Sequence, residues 1–156
     1  MPSVLRPEPI VAALRGAFTR EVDREAMLRL AAERIQAAGS PYTSVYMYML
    51  HGDELVLEAF AGRDTEHTRI AVGQGVCGTA VDLEMSMLVK DVHEFAGHIA
   101  CDAASRSELV VLLRDNDGVF GLIDLDSPTP GRFDKDDQAG IEALAAIYVA
   151  ASSFED

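Results

Sequence analysis

The chain is predicted to be an α+β domain, a sheet of antiparallel strands covered by helices on at least one face. Three observations predict it: a helical apolar stripe early in the chain, strand-length apolar runs joined by short turns in the middle, and a second long helical segment at the end. A short helix is expected over 10–18. A longer one is expected over 23–38, where Met27, Leu28, Ala31, Ile35 and Ala38 fall on one face and Gly39-Ser40-Pro41 ends the pattern. Residues 43–50 and 55–61 read as strands around the turn His51-Gly52-Asp53, and 67–72 as a third. Gly73-Gln74-Gly75 breaks the chain before a short helix over 76–83 and a short strand over 85–89. A polar loop over 91–107 leads into a hairpin, 108–114 and 119–126, around Asp115-Asn116-Asp117-Gly118. After Ser127-Pro128-Thr129-Pro130-Gly131 a last helix covers 134–152, with Asp134, Asp136 and Asp137 at the positive end of its dipole.

Composition narrows the function classes. A chain of 156 residues, 49% hydrophobic and 25% charged, is expected to form one domain across 1–156 with a substantial core. Its net charge of −13 argues against nucleic acid and anionic membranes as partners. No apolar run reaches the roughly 18 residues of a membrane span, and Met1-Pro2-Ser3-Val4-Leu5-Arg6-Pro7 has no apolar signal core. A cytoplasmic protein is the expectation. Two cysteines, Cys77 and Cys101, are too few for a disulfide scaffold.

Chemistry concentrates in two places. Gly97-His98-Ile99-Ala100-Cys101-Asp102-Ala103-Ala104-Ser105-Arg106-Ser107-Glu108 is too polar and too rich in small residues for a strand, and it places a thiol in a loop held by the following strand. On the hairpin, Asp124 and Asp126 are two apart and share a strand face. A three-residue loop, Asn116, Asp117 and Gly118, puts Glu108 opposite Asp126 and adds a third acid to that face. A two-residue loop pairs Glu108 with Leu125 and turns it away. The alternative is an ordinary solvated sheet face, and spacing alone divides the two evenly. Three clustered acids can bind an ammonium group, and their mutual repulsion leaves one protonated and able to act as an acid.

Other patterns carry less. Gly73-Gln74-Gly75-Val76-Cys77-Gly78 matches a dinucleotide fingerprint in letters but lacks the parallel flanks it requires. His93, His98 and Cys101 near Asp91 match no standard zinc spacing, so no metal is expected. In its apolar setting Cys77 reads as a buried structural thiol.

Taken together, Val72-Gly73-Gln74-Gly75-Val76-Cys77-Gly78-Thr79-Ala80, Asp91-Val92-His93, Gly97-His98-Ile99-Ala100-Cys101-Asp102 with Ser105, Ser107 and Glu108, Gly121-Leu122-Ile123-Asp124-Leu125-Asp126-Ser127-Pro128 and Arg132-Phe133-Asp134 resemble the free methionine-(R)-sulfoxide reductases, which are single GAF-domain enzymes. The resemblance runs over about residues 22–150, in matching order and spacing. It implies a GAF fold: a central antiparallel sheet, helices packed on one side and a ligand pocket on the other.

The resemblance further implies that Cys101 is the catalytic cysteine and that Glu108, Asp124 and Asp126 are pocket carboxylates. Cys101 would attack the sulfoxide sulfur of free methionine-(R)-sulfoxide and become a sulfenic acid, which a second thiol condenses to a disulfide. Thioredoxin or a similar external thiol reductant would reset it, with no bound cofactor. Backbone N–H groups near Ile99, Ala100 and Cys101 would take the sulfoxide oxygen or the α-carboxylate. A homodimer is also implied. Two features depart from the family. Many members carry a further, resolving cysteine at a position that falls near His67 here, which leaves Cys77 or an outside thiol for that step. Many also carry a pocket tryptophan where this chain has Thr43-Ser44-Val45, which assigns Tyr46 or Tyr48 to that wall. Two other readings stand beside the reductase: a non-catalytic GAF sensor of a small ligand, and a cysteine-based redox switch.

Overall fold

The computed structural model describes residues 24–39, 44–92 and 106–152. The expected helix over 10–18, and the polar loop residues His93, His98, Ile99, Ala100 and Cys101, lie outside the described residues.

The described elements are α1 (Arg24–Gly39), β1 (Ser44–His51), β2 (Glu54–Ala61), β3 (Arg69–Ala71), α2 (Gly75–Leu83), β4 (Met87–Val89), β5 (Ser107–Asp115), β6 (Gly118–Ser127) and α3 (Lys135–Ser152). The strands form one six-stranded sheet in the order β3-β2-β1-β6-β5-β4, and each neighbouring pair is antiparallel. This is the predicted α+β architecture, with element ends within two residues of those expected from the sequence.

The three central strands are covered on both faces, which is why they read as long apolar runs rather than strict alternations. On one face Val45, Met47, Met49, Leu109, Val111, Leu113, Ile123 and Leu125 pack against two helices. Those helices contribute Leu28, Ala31, Ala32 and Ile35 from α1, at helical spacing, and Ile141, Leu144 and Ala145 from α3. The opposite face carries Tyr46, Tyr48, Val110, Leu112 and Leu122, packed against Val76, Cys77, Ala80 and Val81 of α2. The helices are therefore not confined to one side: α1 and α3 cover the back of the sheet, and α2 forms part of the wall on the front.

Turn chemistry sets the registers. His51 pairs with Glu54, so Gly52-Asp53 is a two-residue loop, and Gly52 adopts φ +67°. At the second hairpin Asp115 pairs with Gly118, so the loop is the two residues Asn116-Asp117 and not the expected three. A bulge between Leu113 and Arg114 then inserts Phe120 on β6, since Arg114 pairs with Val119 and Leu113 with Gly121. The extra residue restores the register that a three-residue loop would have given, and Glu108 stands opposite Asp126.

At the start of α3, Asp134 and Asp137 cap each other reciprocally. The Asp137 N–H donates to Asp134 Oδ1 at 2.9 Å and the Asp134 N–H to Asp137 Oδ2 at 3.1 Å, a capping box built from two aspartates.

The helix α2 approaches the sheet closely at Gly78. A Cβ there would sit 2.5 Å from the Ala71 carbonyl oxygen and 3.0 Å from the Gly73 nitrogen. Both are backbone atoms held in place, the Gly73 N–H donating to Gly78 O at 2.9 Å and the Gln74 N–H to Ala71 O at 3.1 Å. Gly78→Ala is therefore expected to destabilise the fold by about 1–3 kcal/mol through overpacking. Urea unfolding checks this, and an unchanged midpoint would contradict the close approach.

Candidate active site

The front face of the sheet concentrates its polar groups at one end. Asp126 lies between Ser44 on β1 and Glu108 on β5, and Asp124 lies between Tyr46 on β1 and Val110 on β5. The three carboxylates thus share one face, as the strand alternation and the hairpin register together require. They are fully buried, Glu108 and Asp126 at 1% exposure and Asp124 at 0%. The solvated-face alternative is excluded by that burial. A buried carboxylate loses several kcal/mol of hydration that a like-charged neighbour does not return. Three together need a proton, a cation or hydrogen-bond donors around them to offset that loss.

Cys77 joins this cluster from α2. Its Sγ donates to Glu108 Oε2 at 3.7 Å, and ligand atoms of Cys77, Glu108 and Asp124 all lie within 4.8 Å of one another. Cys77 is buried, as expected from its apolar sequence setting, but it faces the acids rather than plain core. The adjacent carboxylates disfavour its thiolate.

Tyr46 and Tyr48 are both completely buried on this face. The Tyr46 hydroxyl donates to the Arg63 carbonyl at 2.8 Å and the Tyr48 hydroxyl to the His67 carbonyl at 2.7 Å. Those bonds fix both rings and tie the segment after β2 to the front of the sheet. Ser44 contributes similarly, its Oγ accepting the Arg63 N–H at 3.0 Å.

The residues flanking the segment that contains Cys101 are anchored beside the acids. The Val92 N–H donates to the Arg106 carbonyl at 2.6 Å, and the Arg106 N–H donates to the carbonyl of Ser127, the residue after Asp126. Arg106 also pairs with Asp91 at 3.2 Å, which occupies the acid that sequence spacing had placed near a histidine–cysteine group. Val92 and Arg106, the described residues on either side of 93–105, therefore sit at the acidic end of β5 and β6. A separate groove of about 490 Å³ between α3 and the edge of β5, lined by Met85, Ser86, Leu112, Arg114, Gln138 and Glu142 among others, contains none of these acids.

Sequence reasoning missed two features here. Ser44 was not singled out, because a serine at a strand start carries no distinguishing pattern. The Cys77–Glu108 contact joins residues 31 apart on different elements, and no local signal foretells it.

Comparison with known proteins assigns the family. The GAF-domain family model matches residues 21–151. A solved structure of the free methionine-R-sulfoxide reductase from Neisseria meningitidis, in complex with its substrate, superposes with a TM-score of 0.85 at 32% identity, covering 94% of this chain and 88% of that one. This chain is a GAF domain of the free methionine-R-sulfoxide reductase family. The free methionine-R-sulfoxide reductase of Escherichia coli K12 is 48% identical over 99 residues, 64% of this chain and 59% of that protein. The reduced form of the Staphylococcus aureus protein of this family superposes with a TM-score of 0.77 at 34% identity, covering 90% of this chain and 94% of that one. The matched stretch spans less than two thirds of the length of the curated relatives. Among the described residues of this family member no helix is long and apolar enough to cross a membrane.

Proposed function

We propose that the chain is a thiol-dependent oxidoreductase that reduces free L-methionine (R)-S-oxide to methionine. The observation that carries this reading is the buried triad Glu108, Asp124 and Asp126 on one sheet face, beside the anchored ends of the segment that contains Cys101. Membership of the reductase family and the substrate-bound Neisseria meningitidis relative support it.

The chemistry follows from those groups. A free amino acid brings an α-ammonium, which a buried acid cluster binds by charge-assisted hydrogen bonds. A peptide-bound methionine has no such cation and leaves the acids unmatched. Burial and mutual repulsion keep a proton on at least one of the three carboxyls. The Cys101 thiolate attacks the sulfoxide sulfur, and the protonated carboxyl gives its proton to the departing oxygen. The S–O bond to methionine breaks, and the oxygen leaves on Cys101 as a sulfenic acid. Methionine sulfur gains the two electrons that Cys101 loses. A second thiol, Cys77 or one from outside, condenses with the sulfenic acid to a disulfide and water. A thioredoxin-like dithiol then restores the thiols, with no bound cofactor. Backbone N–H groups near Ile99 and Ala100 bind the oxygen or the α-carboxylate, and Tyr46 and Tyr48 supply the aromatic wall. In this reading the protein works in the cytoplasm as a homodimer and repairs oxidised free methionine.

The test is turnover of the two separated epimers of free methionine sulfoxide with a small dithiol. Reduction of the R epimer alone is expected. Reduction of neither would return the chain to the ligand-sensing alternative, and reduction of both would remove the stereochemical claim.

A further inference from the structure

The trio Cys77, Glu108 and Asp124 has a property that the reductase chemistry does not use. It combines one thiol and two carboxylates, each at most 3% exposed, with one ligand atom from each within 4.8 Å of the others. We propose that these three side chains form a binding site for a thiophilic divalent cation of the zinc class.

Geometry is the first support. A tetrahedral zinc with a sulfur ligand at about 2.3 Å and a carboxylate oxygen at about 2.1 Å separates the two ligand atoms by about 3.6 Å. Cys77 Sγ and Glu108 Oε2 are 3.7 Å apart. The remaining separations are within 4.8 Å. Donor chemistry is the second support. Thiolate with carboxylate suits zinc and disfavours magnesium and calcium, which take oxygen ligands only. Rigidity is the third. Cys77 is fixed on a helix, and Glu108 and Asp124 are fixed on neighbouring strands whose register is pinned by a bulge.

Binding exchanges the Cys77 thiol proton for the metal: S–H breaks, S–Zn forms, and the proton leaves to solvent. The ion's two positive charges then compensate acids that otherwise repel one another. No oxidation is involved. Sequence spacing pointed to no metal because the three ligands lie on three separate elements, and the histidine–cysteine group considered there is a different one. The metal occupies the carboxylates assigned to the substrate ammonium, so it competes with methionine sulfoxide. That competition rests on the reductase reading. The binding does not, and it is measured without substrate.

The test is titration of the reduced full-length protein with Co²⁺ as a spectroscopic probe, and with Zn²⁺ against a chromogenic chelator. One equivalent per chain is expected, with a sulfur-to-cobalt charge-transfer band. The band should persist in Cys101→Ser and vanish in Cys77→Ser. Zinc affinity should fall in Cys77→Ser and in Asp124→Asn by at least roughly 100-fold, the upper end of what even outer partners of a ligand are worth. Circular dichroism verifies that each variant is folded. If Cys77→Ser fails to fold, the isosteric Asp124→Asn decides alone. The proposal is overturned by absence of stoichiometric cobalt binding, by a band that survives Cys77→Ser or disappears in Cys101→Ser, or by unchanged zinc affinity in Asp124→Asn. Epimer turnover by the metal-free protein tests the reductase reading separately, so either can fail without the other.

Discussion

Replacing Cys101 by serine should lower turnover of free methionine-(R)-sulfoxide by at least about a thousandfold, the scale on which removal of a nucleophile acts. The hydroxyl is a poor nucleophile towards sulfoxide sulfur, and it cannot hold the oxygen atom as a sulfenic acid does. The loss should appear in the first turnover, before any recycling. Cys77→Ser behaves differently in the same experiment. It should still release one equivalent of methionine per chain in a single turnover, because in this reading Cys77 has no part before the oxygen is transferred. Rapid-quench measurement of that first equivalent separates the two cysteines. Retained first-turnover chemistry in Cys101→Ser, with its loss in Cys77→Ser, would transfer the nucleophile to Cys77.

The second large effect is at Asp124. Asp124→Asn keeps shape and burial and removes one charge. Truncating one partner of a buried, hydrogen-bonded charge pair costs about 2–5 kcal/mol, so kcat/KM for free methionine-(R)-sulfoxide should fall about 30- to 5,000-fold. Most of the fall should be in KM, since the α-ammonium is bound in the ground state as well as the transition state. The thermal midpoint should hold or rise, because an amide at 124 lessens the repulsion among carboxyls packed together on the sheet face. This opposite movement of affinity and stability distinguishes a binding role from a structural one. Reduced turnover together with a lowered midpoint would indicate that Asp124 supports the fold.

Most of the architecture was legible in the sequence. The stripe Leu28, Ala31 and Ile35 marked α1, and Ile141, Leu144 and Ala145 bury the corresponding face of α3. Alternation along β6 put Asp124 and Asp126 on one face and Ile123 and Leu125 on the other, as observed. The hairpin was harder. Its loop has two residues, but a bulge at Phe120 compensates, so the expected partner of Glu108 was found through a different geometry. Bulges leave little trace in composition, and a register argument that counts only loop residues cannot see them. The position of α2 was also hidden. Its short apolar stretch says that it is buried, not which face of the sheet receives it. It packs on the face of Tyr46 and Tyr48, which brings Cys77 to Glu108. Tyr46 and Tyr48 lie on the same sheet face as Asp124 and Asp126. Their acceptors, the carbonyls of Arg63 and His67, are backbone atoms with no side-chain signature.

The central claim is that the buried carboxylates recognise the α-ammonium of a free amino acid. The most direct measurement compares kcat/KM of the wild-type protein for free methionine-(R)-sulfoxide and for its N-acetyl derivative. The two share the sulfoxide and the side chain and differ in the charge at the α-nitrogen. A preference of roughly 10²-fold or more for the free amino acid is expected, the scale of a buried charge pair left without one partner. Equal turnover of the two would contradict the account, because Glu108, Asp124 and Asp126 would then have no part in holding the substrate's cation.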